Sequence, residues 1–167
     1  MTAASTPDAL DLLEAEHQAV RRLFQEYRQL AAHDAPEARR KALADQICLE
    51  LTIHSKLEEE LFYPPVREAI RDDDLMDEAE VEHAAARDLV VQILSMDPHE
   101  ELYDAKVTVL GEYIDHHVRE EREEMFPLVR RSSIDLVRLG EQLRIRRREL
   151  EAVPEALREE LLVSLMA

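Results

Sequence analysis

Leu13, His17, Val20, Phe24 and Tyr27 recur at alternating four- and three-residue spacing. That is the period of one face of an α-helix, so the stripe predicts an inward seam. Thr6-Pro7-Asp8 reads as its start, with Thr6 as cap and Pro7 in the first turn. After a turn at His33-Asp34-Ala35-Pro36, a second helix is expected over about residues 36–63, with Leu43, Ile47, His54 and Leu61 inward. Pro64-Pro65 should end or kink it, with some helix persisting to Ile70. A third helix is expected over about 75–94, with Met76, His83, Val90 and Ile93 or Leu94 inward. A break at Ser95-Met96-Asp97-Pro98 precedes a fourth, over about 99–126, with Leu110, Tyr113, His117 and Glu121 on one face. Ser132-Ser133-Ile134 opens a fifth reaching about residue 152, and Pro154 a short last one. Long amphipathic helices with short connections predict an all-α protein: an up-down-up-down four-helix bundle over residues 8–131. Extra C-terminal helices over 132–167 should pack on it, the basic stretch from Arg138 to Arg148 against the acidic outside of the bundle.

The inward stripes carry unusual residues. His17, His54, His83 and His117 each occupy a core slot, one per helix. A buried imidazole costs desolvation unless it is bonded. One such residue reads as a satisfied core histidine; four at matched places do not. The segment HSKLEEELFYPPVR from His54 is repeated 63 residues later as HVREEREEMFPLVR from His117. Both contain His-x-x-x-Glu (His54 with Glu58, His117 with Glu121), then an aromatic-Pro pair and Val-Arg. Each follows a helix carrying E-H-x-A-x-R-x-L, beginning at Glu16-His17 and at Glu82-His83. Residues four apart lie on one helical face, one turn apart. Two such His/Glu pairs facing each other, with one further His each, can bind two metal ions.

Composition narrows the setting. The chain has 167 residues, two Gly and no Trp, which suits one helical domain. The formal charge of −17 disfavours nucleic acid and anionic membranes as partners. No stretch approaches a membrane span, and the N-terminus lacks a basic region and an apolar signal segment. The lone Cys48, six residues before His54, is expected as a small buried apolar residue, and it fits a reducing cytoplasm.

These motifs resemble the hemerythrin-like, or HHE cation-binding, family over about residues 10–131. The resemblance implies a four-helix bundle holding two non-haem irons. His17, His54, His83 and His117 would be terminal ligands, and Glu58 and Glu121 bridging carboxylates. The chain departs from the oxygen-carrying members. Arg87 stands where they have a second His on the third helix, and Arg122 where they have an Asp. The symmetric set is more similar to bacterial hemerythrin-like proteins linked to peroxide and nitric oxide chemistry. Four protein donors per iron plus an oxo or hydroxo bridge leave an open position on each. The expected function is therefore a di-iron protein reacting with peroxide, nitric oxide or oxygen, with a small diatomic or peroxide as its partner. The alternative is an oxygen or iron sensing or storage protein without turnover.

Neighbouring residues compete for roles. His116 and Glu120 form the same four-residue pair in the adjacent register, which the repeat alignment disfavours. Glu14-x-x-His17 and Glu80-x-x-His83 match a ferritin-like spacing, but that scheme leaves His54 and His117 unexplained. Glu14 and Glu80 otherwise read as solvated surface, or as acceptors that orient imidazoles. Tyr113 and Tyr27 are candidates for a phenol at the centre, with ordinary core packing as the plainer reading. His33 and His99 fall in turns and read as solvated.

Overall fold

The computed structural model describes residues 5–166. Residues 1–4, part of the segment in which no export signal is expected, and Ala167 lie outside the described residues. Helix α1 spans Ala9–Ala32, α2 Glu37–Leu57, α3 Tyr63–Ile70, α4 Asp73–Ser95, α5 Tyr103–Glu120, α6 Phe126–Arg130, α7 Leu136–Glu151 and α8 Pro154–Val163. α1, α2, α4 and α5 form a ring in which each packs on the next and α5 closes on α1. This is the expected four-helix architecture, with α7 and α8 laid against its outside.

Aspartates set several starts. Asp8, not Thr6, caps α1, and Asp8 and Asp11 accept each other's backbone N–H at 3.0 Å in a reciprocal box. Asp72 caps α4 and Asp135 caps α7, so the fifth helix begins at Leu136 instead of at Ser132. An aspartate both accepts the orphan N–H and places negative charge at the positive helix end, which a hydroxyl does not.

Helix persists past Pro64-Pro65 to Ile70, as expected. The departure from α-helical bonding lies one turn earlier. Residues Glu58–Phe62 form a π-helical turn closed by the Tyr63 N–H donating to the Glu58 carbonyl. Residues Glu121–Met125 do the same, with the Phe126 N–H on the Glu121 carbonyl. A proline cannot donate, and its ring crowds the carbonyl four residues back. A widened turn just before it accommodates both problems. In both repeats the widened turn begins at the glutamate of His-x-x-x-Glu, the kind of place where such bulges mark functional sites.

The core is two apolar layers. One gathers Leu10, Leu13, Leu57, Phe62, Met76, Met125 and Val129 with Leu139 and Leu143 of α7. The other gathers Val20, Phe24, Tyr27, Ile47, Leu51, Val90 and Leu110. Along each bundle helix the histidine falls between them: His17 between Leu13 and Val20, His54 between Leu51 and Leu57. The extension packs closely. A Cβ on Gly140 of α7 would lie 3.0 Å from the backbone of Asp8 and Ala9, so a larger residue would push α7 and the start of α1 apart by a few tenths of an ångström. Arg146 meets Glu60 at 2.7 Å and Arg147 meets Glu16 and Glu50 at 2.6 Å each, so the basic segment does bind the acidic outside.

Candidate metal centre

α1, α2, α4 and α5 each send one histidine into the polar layer, and the two widened turns each send one glutamate. His17, His54, His83, His117, Glu58 and Glu121 are all buried, the two glutamates to within 1% of completely. The six fall into two tetrads: His17, His54, Glu58 and Glu121, and His83, His117, Glu58 and Glu121. In each, the candidate ligand atoms lie within 4.8 Å of one another. The geometry is close to two-fold. His17 Nε2 lies 3.1 Å from His54 Nε2, and His83 Nε2 3.0 Å from His117 Nε2. Glu58 Oε1 is 2.6 Å from His54 Nε2 and 3.7 Å from His83 Nε2. Glu121 Oε1 is 2.6 Å from His117 Nε2 and 3.9 Å from His17 Nε2. Each glutamate thus reaches both tetrads, as a bridging carboxylate must.

The outer nitrogens explain the ring orientations. His54 Nδ1 lies 2.7 Å from Glu16 Oε2 and His117 Nδ1 2.5 Å from Glu82 Oε2. His83 Nδ1 lies 3.0 Å from Glu59 Oε1. An Nδ1–H donated outward fixes the ring and leaves Nε2 facing inward. His17 Nδ1 has no hydrogen-bond partner; Glu14 lies 3.7 Å away. None of the four oxygens of Glu58 and Glu121 has a hydrogen bond of good geometry either, the Nε2 atoms of His54 and His117 being near two of them at 2.6 Å. Buried carboxylate oxygens without good hydrogen bonds are costly, and a cation among them removes that cost. The donor set therefore fits metal ions: imidazole nitrogens and carboxylate oxygens converge at two positions.

The ionisation pattern agrees. Burial pushes the His17 imidazole down to about 3, with nearby His54 adding to the effect. Burial would also depress His117, but Glu121 outweighs it and lifts the group to about 10. At His54 burial is outweighed by Glu58 and Glu16, and the group rises well above its ordinary value. Burial would raise Glu121, but His117 draws it down to about 2. In the metal-free chain, His54 and His117 thus hold protons against Glu58 and Glu121, where a cation would otherwise sit.

Other candidates fall elsewhere. His116 is exposed and turned from the centre, as the repeat alignment requires. Glu80 is exposed and faces Arg67 at 3.8 Å. Tyr27 donates to Asp104 at 2.6 Å, a packed phenol with a bonded hydroxyl. Tyr113 is off the inward stripe of Val107, Leu110, Ile114, His117 and Glu121 and about half exposed, with Ile114 in the inner slot, yet it lines the small cavity beside the four histidines. Cys48 is buried, and its thiol is pushed up to about 12 by that burial. Arg87 pairs with Glu59 at 2.5 Å at the edge of the centre.

Sequence reasoning missed four residues. Glu16, Glu82 and Glu59 orient rings on neighbouring helices, and Tyr63 places its hydroxyl 3.0 Å from His83 Nε2 and 3.2 Å from His117 Nε2. The repeated Glu-His dipeptide was the available signal for two of them. A residue next to a seam points about 100° away, toward the adjacent helix. A cavity of 20 Å³ touches all four histidines, and its lining residues Leu51, Ser55, Ala86 and Ile114 also border a 330 Å³ pocket between α2, α4 and α8.

Comparison with known proteins places the fold and the family. A crystal structure of a hemerythrin HHE cation binding domain-containing protein from Mycobacterium kansasii superposes with a TM-score of 0.66. The match has 24% identity and covers 97% of this chain and 94% of that one, and it shows a shared fold. A comparison with curated sequences returned no match. Among the described residues no helix is long and apolar enough to cross a membrane. The family model for the hemerythrin HHE cation binding domain matches residues 8–129, and with most of its length so matched the chain belongs to that family.

Proposed function

We propose that residues 8–131 are a di-iron unit and 132–167 a bracing extension. His17, His54, Glu58 and Glu121 hold one iron, and His83, His117, Glu58 and Glu121 the other. The observation that carries this reading is the pair of mirrored, buried tetrads whose carboxylate oxygens lack hydrogen bonds of good geometry. Iron bound there supplies redox chemistry toward peroxide, nitric oxide or oxygen, in a cytoplasmic setting. The chain supplies the rest. Glu16, Glu59 and Glu82 keep three imidazoles aimed inward. Glu58 and Glu121 bring negative charge that offsets the cations. In the metal-free chain Tyr63 keeps its phenolic proton, because burial and then Glu121 push its pKa well up. It holds that proton beside His83 and His117, where it can be donated to a reactant. The 20 Å³ cavity holds about one water-sized molecule, which suits a diatomic or peroxide. Arg87 is paired with Glu59, and each ion would have the four protein donors of its tetrad, with further positions left for a reactant.

Metal analysis with an absorption spectrum tests this. Anaerobic iron loading should give two irons per chain and a near-ultraviolet band after oxidation. One iron, or none, sinks the di-iron assignment. The oxidised protein should consume peroxide or react with nitric oxide. Many cycles of oxygen uptake fully reversed under vacuum, with inertness to peroxide, would instead establish binding without turnover.

A further inference from the structure

Glu16 and Glu82 stand at equivalent places in the two repeats and orient His54 and His117 alike. Their outer oxygens differ. Glu16 Oε1 receives Arg147 at 2.6 Å, and the same guanidinium meets Glu50 at 2.6 Å and Glu151 at 2.8 Å. A fixed cation from α7 thus sits among three carboxylates. Among the described residues, no Lys or Arg comes within 4.0 Å of the Glu82 or Glu120 carboxylate. The outer oxygen of Glu82 instead faces His116 Nε2 at 3.3 Å, and that nitrogen lies 3.2 Å from Glu120 Oε1.

We propose that His116, Glu82 and Glu120 form a separate, solvent-facing site for a divalent transition-metal ion of the zinc type, which does for Glu82 what Arg147 does for Glu16. His116 and Glu120 share one face of α5 at the four-residue spacing, and Glu82 enters from α4. One imidazole and two carboxylates are suitable donors for such an ion, and the 61% exposure of the His116 side chain leaves room for water to complete its coordination. Glu82 can keep His117 Nδ1 on one oxygen and bind the ion through the other. The chain's net charge of −17 favours cation approach. The three residues lie outside the six of the buried centre, so this site does not depend on which metal loads there.

Zinc titration of the iron-loaded full chain by calorimetry, with iron content measured before and after, tests the site. The expected result is one zinc per chain beyond the retained iron. Binding should weaken tenfold or more in His116→Ala and in Glu120→Gln, while iron content stays unchanged and Arg147→Gln binds zinc as before. No zinc beyond the core, zinc that enters only by displacing iron, or binding that survives both substitutions would each overturn the proposal.

Discussion

The two halves of the bundle each carry the same three-residue set, two histidines and a glutamate, in different surroundings. In the first repeat the aromatic before proline is Tyr63, whose hydroxyl reaches the His83/His117 tetrad. In the second it is Phe126, which stacks on His17 with ring centroids 6.0 Å apart. Glu59 orients His83, but its counterpart Arg122 orients nothing, and His17 Nδ1 goes without a partner. Glu16 is held by Arg147 of the extension, Glu82 by no fixed cation. The comparison teaches that a duplicated motif fixes which atoms converge, whereas each side's proton supply, ring orientation and outer charge are set by residues the duplication did not keep equal.

The largest expected effect is on stability. Metal at about a thousand times its dissociation constant stabilises the fold by roughly 4 kcal/mol per independent site. For a domain of this size that raises the melting temperature by roughly 10 °C. Equal melting temperatures for loaded and metal-free protein would refute a buried centre. This gap should depend on pH. His54 and His117 have folded-state pKa values above their unfolded ones. In the metal-free chain their contribution is full below the unfolded value near 6.5 and is lost as pH rises, for His117 through about 10. A metal must displace those protons, so its affinity rises with pH. The loaded protein should therefore gain on the metal-free one between pH 7 and 9, and metal addition at pH 7 should release protons in a pH-stat. A gap that shrinks over that range would contradict the assigned proton positions.

Next come single ligands. His117→Ala should remove most metal from the second tetrad, whereas His116→Ala should leave the iron content intact. Elemental analysis that showed the reverse would move the centre to the other face of α5. Losing an orienting carboxylate is milder. Glu16→Gln, Glu82→Gln and Glu59→Gln should each cost about 10- to 100-fold in metal affinity, while Glu80→Gln should cost nothing measurable. Competitive chelator titration separates these outcomes.

The smallest effect equalises the halves. Tyr63→Phe removes one buried hydrogen bond, worth about 1 kcal/mol, and leaves both tetrads with phenylalanine. Metal content should stay the same while the reaction with peroxide slows. An unchanged rate would show that the phenol only packs.

The bundle was legible because its signals are local. Each inward stripe is read within one helix, and α1 and α4 match the expected seams residue by residue. The six centre residues were legible for the same reason: a histidine in a core slot and a glutamate one turn on are visible in any stretch of sequence, and their repetition excluded chance. The helix starts at Asp8 and Asp135 were misplaced because neighbouring Thr and Ser residues also make good caps, and only the folded backbone chooses between them. Tyr113 was misplaced because a position at the edge of a seam is decided by which neighbour fills the inner slot.

What the sequence by itself determined is therefore the helices, their inward faces and the residues that converge at the candidate centre. What only the tertiary structure decided is who touches whom across helices. Glu16 serves His54, Glu82 serves His117, Tyr63 reaches His83, and Arg147 holds Glu16, pairs separated by 20 to 131 positions. No periodicity encodes such pairs. They depend on the rotation and stagger of packed helices, which are set by the apolar layers above and below the centre and not by the polar residues that depend on them.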